Sequence, residues 1–243
     1  DAQGLRLIYR LFDLAADGMG VEDLPRLLDA LQLVGFAGVN VTHPYKQAIT
    51  AHLDELSPQA QQIGSVNTVV FSAGRRIGYN TDIYGFAQNL RAGLSPDARF
   101  GRVVQMGAGG AGAATAHALM ELGVGELTLF DPAQQRAREL AAALNAVHGA
   151  GRAIVGDDLP ASVAAADGIV NATPIGMKGY PGSAIPQPLL RPALWVTDIV
   201  YFPLETQLLH DAREAGCATL DGSGMTVYQA VRAFEHFTGR AAD

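Results

Sequence analysis

A six-residue run, Gly107-Ala108-Gly109-Gly110-Ala111-Gly112, follows the apolar stretch 103–106 and opens an Ala-rich segment. Glycines at its first, third and sixth positions suit a strand–turn–helix corner that receives a pyrophosphate. The first permits the tight turn, the second lets backbone N–H groups approach the phosphates, and the third allows close helix–sheet packing. The start of the helix adds partial positive charge. The pattern is weak alone. It gains weight from Asp131, which ends the next apolar stretch about 20 residues on, where a carboxylate accepts both ribose hydroxyls of NAD. The same carboxylate repels the 2′-phosphate of NADP. Arg136 is near enough in sequence to lie along the adenine or reach the ribose. The alternative is a Gly/Ala-rich turn that only packs a helix closely, with Asp131 a solvated strand end.

A second set of polar residues sits in three runs: Asn40-Val41-Thr42-His43-Pro44-Tyr45-Lys46, Gly64-Ser65-Val66-Asn67-Thr68 and Gly78-Tyr79-Asn80-Thr81-Asp82. Each follows an apolar stretch with strand character, and strand ends are where sites are usually built. Oxidising an alcohol to a ketone removes a hydride from carbon and a proton from oxygen. A nicotinamide takes the hydride. Lys46 could take the proton if desolvation lowered its pKa, with Asp82 orienting it and opposing that lowering. The residues alone leave the bland reading equally open. In it Lys46 is a surface lysine on a first helical turn and Asp82 an N-cap.

The elements that must position these residues alternate along the chain. Residues 5–12, 36–41, 66–71 and 77–79 read as strands, with a hairpin turn at Ala73-Gly74. Residues 21–33, 45–53 and 82–90 read as helices. Residues 93–101 resemble a domain boundary. Beyond it, strands at 103–106, 127–130, 153–155, 168–171 and 195–200 alternate with helices at 111–122, 134–147, 161–166 and 206–215. That rhythm predicts an α/β fold with a parallel sheet covered on both faces. A final amphipathic helix spans 225–238.

Composition narrows the function classes. The chain has 243 residues, 49% apolar and 17% charged, which is enough for one large domain or two modest ones with a buried core. A net charge of −7 with no basic block argues against nucleic-acid or anionic-membrane binding. No apolar run is long enough to span a membrane, and residues 1–10 lack the pattern of a signal peptide. The lone Cys217 reads as a core hydrophobe, and a cytoplasmic location is expected. The histidines His43, His52, His117, His148, His210 and His236 form no H-x-x-x-H pair, so no metal site is expected. His43 reads as a structural or rim residue, and Met177 and Met225 as core or pocket lining. No G-x-S-x-G elbow is present, which argues against a serine hydrolase.

Taken in order, the 40–46 run, Val66-Asn67-Thr68, Asn80-Thr81-Asp82, the 107–112 loop, Asn171-Ala172-Thr173-Pro174, and Asp221-Gly222-Ser223-Gly224-Met225 with Tyr228-Gln229 resemble the shikimate/quinate dehydrogenase family over nearly the whole chain. The resemblance implies two domains. One is an α/β substrate-binding domain at 1–95 completed by a C-terminal helix at 225–243; the other is a Rossmann dinucleotide-binding domain at 97–220. It implies an active site in the cleft between them, a ring hydroxy acid as substrate, and a place in the chorismate pathway of aromatic amino acid biosynthesis. It further implies Lys46 as base with Asp82 as partner, and Thr42, Asn67 and Gln229 on ring hydroxyls. Tyr201 would line the substrate pocket, and Thr173, Ile199, Gly222 and Met225 would lie along the nicotinamide half of the cofactor.

The sequence departs from the family's usual pattern in two places. Asp131-Pro132 stands where many members carry Asn-Arg-Thr for the NADP phosphate, which resembles the NAD-using quinate/shikimate branch, as does His43-Pro44-Tyr45-Lys46-Gln47. The family's N-terminal Ser-x-Ser motif, which holds the substrate carboxylate, has no counterpart from Asp1 onward; it is either absent or precedes the first residue here. Two other readings stay open: a dehydrogenase of an amino-substituted ring acid, and a non-catalytic ring-acid sensor, against which the intact Lys46 and Asp82 argue. Preference between quinate and shikimate, and between monomer and homodimer, is not legible in the sequence.

Overall fold

The structure is a computed structural model that describes residues 4–242. The first three residues of the 1–10 stretch and the last residue of the 225–243 stretch lie outside the described residues. The chain divides into two compact units. One runs to Thr81 and resumes at Ala230; the other is Asp82–Gln229. The division therefore falls between Thr81 and Asp82 rather than within 93–101, because the helix that Asp82 opens packs inside the second unit.

The first unit holds a four-stranded mixed sheet ordered β1-β3-β4-β2, with β1 Gly38–Asn40, β2 Glu55–Leu56, β3 Thr68–Ser72 and β4 Arg75–Tyr79. β3 and β4 form the expected hairpin. Its two turn residues, Ala73 and Gly74, have φ of 49° and 78°, the left-handed pair whose twist matches that of the flanking strands. Helix α1, Leu24–Leu33, buries Leu24, Leu28 and Leu31 from one face. Leu24 and Leu28 pack with Ile49, Ala60, Val66 and Val69 in the unit's core. Helix α2, Pro58–Ile63, was not expected, although its signals are in the sequence. Ser57 caps Ala60 N–H, Pro58 sits at the first turn, and Gly64 ends it at φ 66°.

Two expected elements differ here. Residues 5–12 are not a strand: no described strand pairs with them, and Leu7, Ile8, Tyr9 and Leu11 are exposed. The expected helix at 45–53 is a turn followed by a 3₁₀ helix, Ala48–His52. There the Thr50 hydroxyl donates to the Gln47 carbonyl, and Thr50 N–H and Leu53 N–H bond three residues back.

The second unit is built on a six-stranded, all-parallel sheet ordered β10-β9-β8-β5-β6-β7. Its strands are β5 Arg102–Met106, β6 Glu126–Phe130, β7 Ala153–Val155, β8 Gly168–Asn171, β9 Trp195–Asp198 and β10 Ala218–Leu220. Every residue of β8 and β9 is buried, as expected for strands covered on both faces. The connecting helices are α4 Gly110–Glu121, α5 Gln134–His148, α6 Leu159–Ala165 and α7 Gln207–Glu214. Helix α3, Asp82–Gly93, and the first half of α8, Ser223–Thr238, belong to the same unit. Chain order reverses between β5 and β8, which marks the crevice where doubly wound sheets bind ligands. Cys217 packs in this core with Ile169, Val196 and Leu209. Among the described residues no helix is long and apolar enough to cross a membrane.

Helices α4 and α5 bring His117 and His148 together, ring centroids 5.7 Å apart. Burial, and then the neighbouring His148, lower the His117 pKa from 6.5 to about 4. An imidazole held neutral in the folded state takes up its proton more readily when unfolded. Its contribution is therefore full above pH 6.5 and is lost as pH falls toward 4. We predict that the melting temperature falls by roughly 5 °C between pH 7 and pH 5 through this residue. Calorimetry of His117→Leu should show a correspondingly flatter slope; an unchanged slope would remove His117 as its source.

Candidate functional site

The glycine loop sits at the end of β5, at the reversal in strand order. Gly107 has φ +98°, and a Cβ there would lie 2.7 Å from the Ala172 carbonyl oxygen, so both conformation and space require glycine. A Cβ on Gly112 would lie 2.3 Å from the Gly107 carbonyl oxygen. Gly109, the N-cap of α4, has open space where a side chain would point. The outer two glycines thus close the corner and the middle one leaves it accessible. Asp131 follows β6 and is tied to the loop: its Oδ2 accepts from Ala108 N–H at 2.8 Å and its Oδ1 from Ala133 N–H at 2.8 Å. Arg136 lies in the first turn of α5 with an exposed side chain.

Beside the loop, the ends of β8 and β9 are joined by buried polar groups. Asn171 Nδ2 donates to Asp198 Oδ1 and to the Ile175 carbonyl, each at 3.0 Å. Asn171 Oδ1 accepts from Thr173 N–H at 3.1 Å and from the Thr173 hydroxyl at 2.6 Å. Asp198 is fully buried. Its Oδ1 also accepts from Val200 N–H at 3.0 Å and its Oδ2 from the Thr206 hydroxyl at 2.7 Å. Burial pushes the Asp198 carboxyl pKa up, and these hydrogen bonds pull it back. The network holds the 172–176 and 199–206 loops in place.

Several residues assigned to the cofactor by resemblance meet here. A Cβ on Gly107 would approach Thr173 Cγ2 to 3.0 Å, and one on Gly222 would lie 2.4 Å from the Ile199 carbonyl oxygen. Met225 is buried in the first turns of α8. A Cβ on Gly85 would fall 2.6 Å from the Met225 carbonyl oxygen and 2.9 Å from Gln229, so α3 and α8 touch through that glycine. Gln229 therefore lies against Gly85, three residues along α3 from Asp82, which is itself buried at the start of that helix. Tyr201 is exposed, and Met177 lines an open apolar depression with Phe202 and Pro203 rather than the core.

The first unit gathers the other candidates. Val66 N–H donates to the Lys46 carbonyl at 2.8 Å and Val41 N–H to the Asn67 carbonyl at 2.8 Å, so the Lys46 and Asn67 segments are backbone neighbours. Asn67 is buried, and its Oδ1 accepts from Thr81 N–H at 2.8 Å. Asn80 Nδ2 donates to the Ser65 carbonyl at 3.0 Å. Lys46 is half-buried, and Thr42 and His43 are exposed. Sequence reasoning missed Asp198, whose signal is a polar side chain at the end of an apolar strand, and Thr206, whose signal is a capping residue before the helix at 207–214. It likewise offered no spacing pattern for the packing of Gly85 on α8.

Family models match at both ends of the chain: a shikimate dehydrogenase substrate binding domain at residues 1–69 and a shikimate 5'-dehydrogenase C-terminal domain at 222–243. A shikimate dehydrogenase (NADP(+)) from Streptomyces avermitilis is 56% identical over 243 residues, covering 99% of this chain and 83% of the relative. A quinate/shikimate dehydrogenase (NAD(+)) from Corynebacterium efficiens is 50% identical, covering 100% of this chain and 86% of the relative. A solved quinate dehydrogenase from Corynebacterium glutamicum in complex with NAD superposes with a TM-score of 0.92 at 47% identity, over 100% of this chain and 86% of the other.

Replacing Asp198 by Ala leaves the Asn171 amide, Val200 N–H and Thr206 hydroxyl without their acceptor. Denaturant unfolding should show a loss of about 3 kcal/mol. Asp198→Asn keeps a carbonyl oxygen for two of these donors and should lose about 1 kcal/mol or less. Equal losses in the two variants would mean that charge, not hydrogen bonding, is what the site requires.

Proposed function

The chain belongs to the shikimate/quinate dehydrogenase family, and from that premise we propose that it transfers a hydride between NAD and a ring hydroxyl of shikimate or quinate. The corresponding ketones are 3-dehydroshikimate and 3-dehydroquinate. The observation that carries the reading is the 107–112 loop, closed at Gly107 and Gly112, open at Gly109, and tied to Asp131 through Ala108 N–H.

These residues fit a dinucleotide. The backbone of 107–111 at the start of α4 would hold the pyrophosphate. Each Asp131 oxygen accepts one backbone N–H and keeps a second lone pair for a ribose hydroxyl, with Arg136 alongside. Thr173, Ile199, Gly222 and Met225 would bound the nicotinamide half. The negative charge of Asp131 beside the ribose favours NAD over NADP, although relatives with each preference exist. The second unit is then the dinucleotide-binding domain, and the first the substrate-binding domain.

When bound, the nicotinamide supplies the hydride acceptor or donor. The amine form of Lys46 takes the proton from the reacting hydroxyl, and its ammonium returns it in the reverse direction. Asp82 orients the lysine through a hydrogen bond that its carboxylate accepts from the amine N–H. Thr42, Asn67 and Gln229 hold the remaining hydroxyls, and Tyr201 borders the ring. A cytoplasmic location belongs to the same reading.

The test is a matrix of NAD and NADP, each with shikimate and quinate, followed at the reduced-nicotinamide absorbance. The unaltered chain should turn over at least one ring acid with NAD faster than with NADP; no turnover in any of the four combinations would sink the assignment. Lys46→Ala should lower kcat by about 10²–10⁴ while KM changes little, and near-normal turnover would take the base role from Lys46. Asp131→Ala should narrow the NAD to NADP ratio of kcat/KM by about tenfold, a loss of roughly 1.4 kcal/mol of discrimination. An unchanged ratio would defeat the ribose assignment.

A further inference from the structure

β5 reads Arg102-Val103-Val104-Gln105-Met106, and its single carboxamide is fully buried. An amide inside a covered parallel sheet is costly unless all its polar atoms are paired. Here they are. Gln105 Nε2 donates one hydrogen to the Gly107 carbonyl at 2.9 Å and the other to the Gly112 carbonyl at 2.8 Å. Its Oε1 lies 2.9 Å from the Thr115 hydroxyl, which donates to it. The same hydroxyl is 3.0 Å from the Gly112 carbonyl, and its one proton serves either acceptor.

The two carbonyls are the two ends of the glycine loop, and the space between those ends is already too small for a Cβ on Gly112. The carboxamide therefore cross-links the loop at its base, while Asp131 holds Ala108 N–H from the other side. Glycine is the residue with the most backbone freedom, so a loop of this composition otherwise loses much entropy when a ligand orders it. A pre-set loop avoids that cost, and the benefit falls on dinucleotide affinity rather than on the chemical step.

The geometry points to Gln105 as a positioning residue for the dinucleotide: its carboxamide clips Gly107 to Gly112 and fixes the loop that receives the pyrophosphate, with Thr115 bracing the clip. This rests on the reading of 107–112 as a pyrophosphate loop. It goes beyond that reading in assigning the loop's shape to a strand residue outside the glycine pattern.

The experiment uses the full chain, Gln105→Met, Thr115→Val, their double variant, and Leu144→Ala. Met fills a similar volume without donors. Leu144 is buried in α5 and serves as a control for general destabilisation. NADH affinity is read by fluorescence titration beside the melting temperature, kcat, and the KM for the ring acid. Gln105→Met should weaken NADH about tenfold and Thr115→Val about threefold, with kcat and the ring-acid KM near those of the unaltered chain. The double variant should be no weaker than Gln105→Met, because both act through one clip. Leu144→Ala should lower the melting temperature and leave NADH affinity within twofold. NADH affinity within twofold of the unaltered chain in both Gln105→Met and Thr115→Val would overturn the clip, and if Gln105→Met does not fold, Thr115→Val decides alone. Weakening in Leu144→Ala as large as in Gln105→Met would overturn it too. Failure of the unaltered chain to bind NADH would overturn the pyrophosphate reading itself and the clip with it.

Discussion

At the end of β5 the chain turns from strand to helix within a space that holds no side chain. The Gly107 carbonyl lies where a Cβ of Gly112 would stand, and Gly107 itself abuts the Ala172 carbonyl. This close approach sets how near α4 lies to the sheet. It also brings the start of that helix beside the ends of β8 and β6, at the reversal in strand order. The polar groups that accompany the loop follow from it. Asp131 reaches Ala108 N–H because β6 is the neighbouring strand. Thr173 reaches the loop because β8 is the neighbour on the other side. One tight turn between two parallel neighbours is enough to bring three distant parts of the sequence together at the reversal in strand order.

The second unit carries its buried polar groups where the chain leaves the sheet. Gln105, Asn171 and Asp198 are each buried near the carboxyl ends of adjacent strands, and each is tied to backbone of an adjoining loop. Leaving such groups unpaired would cost about 1–3 kcal/mol apiece, so the loops are constrained to the conformations that pair them. Apolar side chains at the same positions would pack the sheet equally well and leave the loops free. The polar choice exchanges desolvation for a defined site, as expected where geometry matters more than stability.

In the first unit, hydrogen bonding between strands does the corresponding work. Lys46, Asn67 and Thr81 come from three segments separated by about twenty and about fifteen residues. Hydrogen bonds nonetheless join them: Val66 N–H donates to the Lys46 carbonyl, Asn67 N–H to the Tyr79 carbonyl, and Thr81 N–H to the Asn67 side-chain oxygen. The α/β character of both units agrees with the family to which the chain belongs.

Much was legible from residue order alone. The glycine loop, the alternation of strands and helices after residue 100, the Ala73-Gly74 hairpin and Asp131 at the end of β6 are local patterns. Backbone conformation and periodicity dictate them without reference to the rest of the molecule. Other features could not be read that way. The extended run at 5–12 has strand character, yet no described strand pairs with it, because a strand exists only where another supplies its hydrogen bonds. The place where the chain divides, Thr81 rather than residues 93–101, depends on α3 packing against α4 and on the close approach of Gly85 and Asn89 to the start of α8. Gln105 looks like a polar interruption of an apolar strand and Asp198 like a polar strand end, until the fold delivers their partners from residues up to 27 positions away. Local chemistry declares itself in neighbouring residues; pairing, burial and division are properties of contacts that only the folded chain creates.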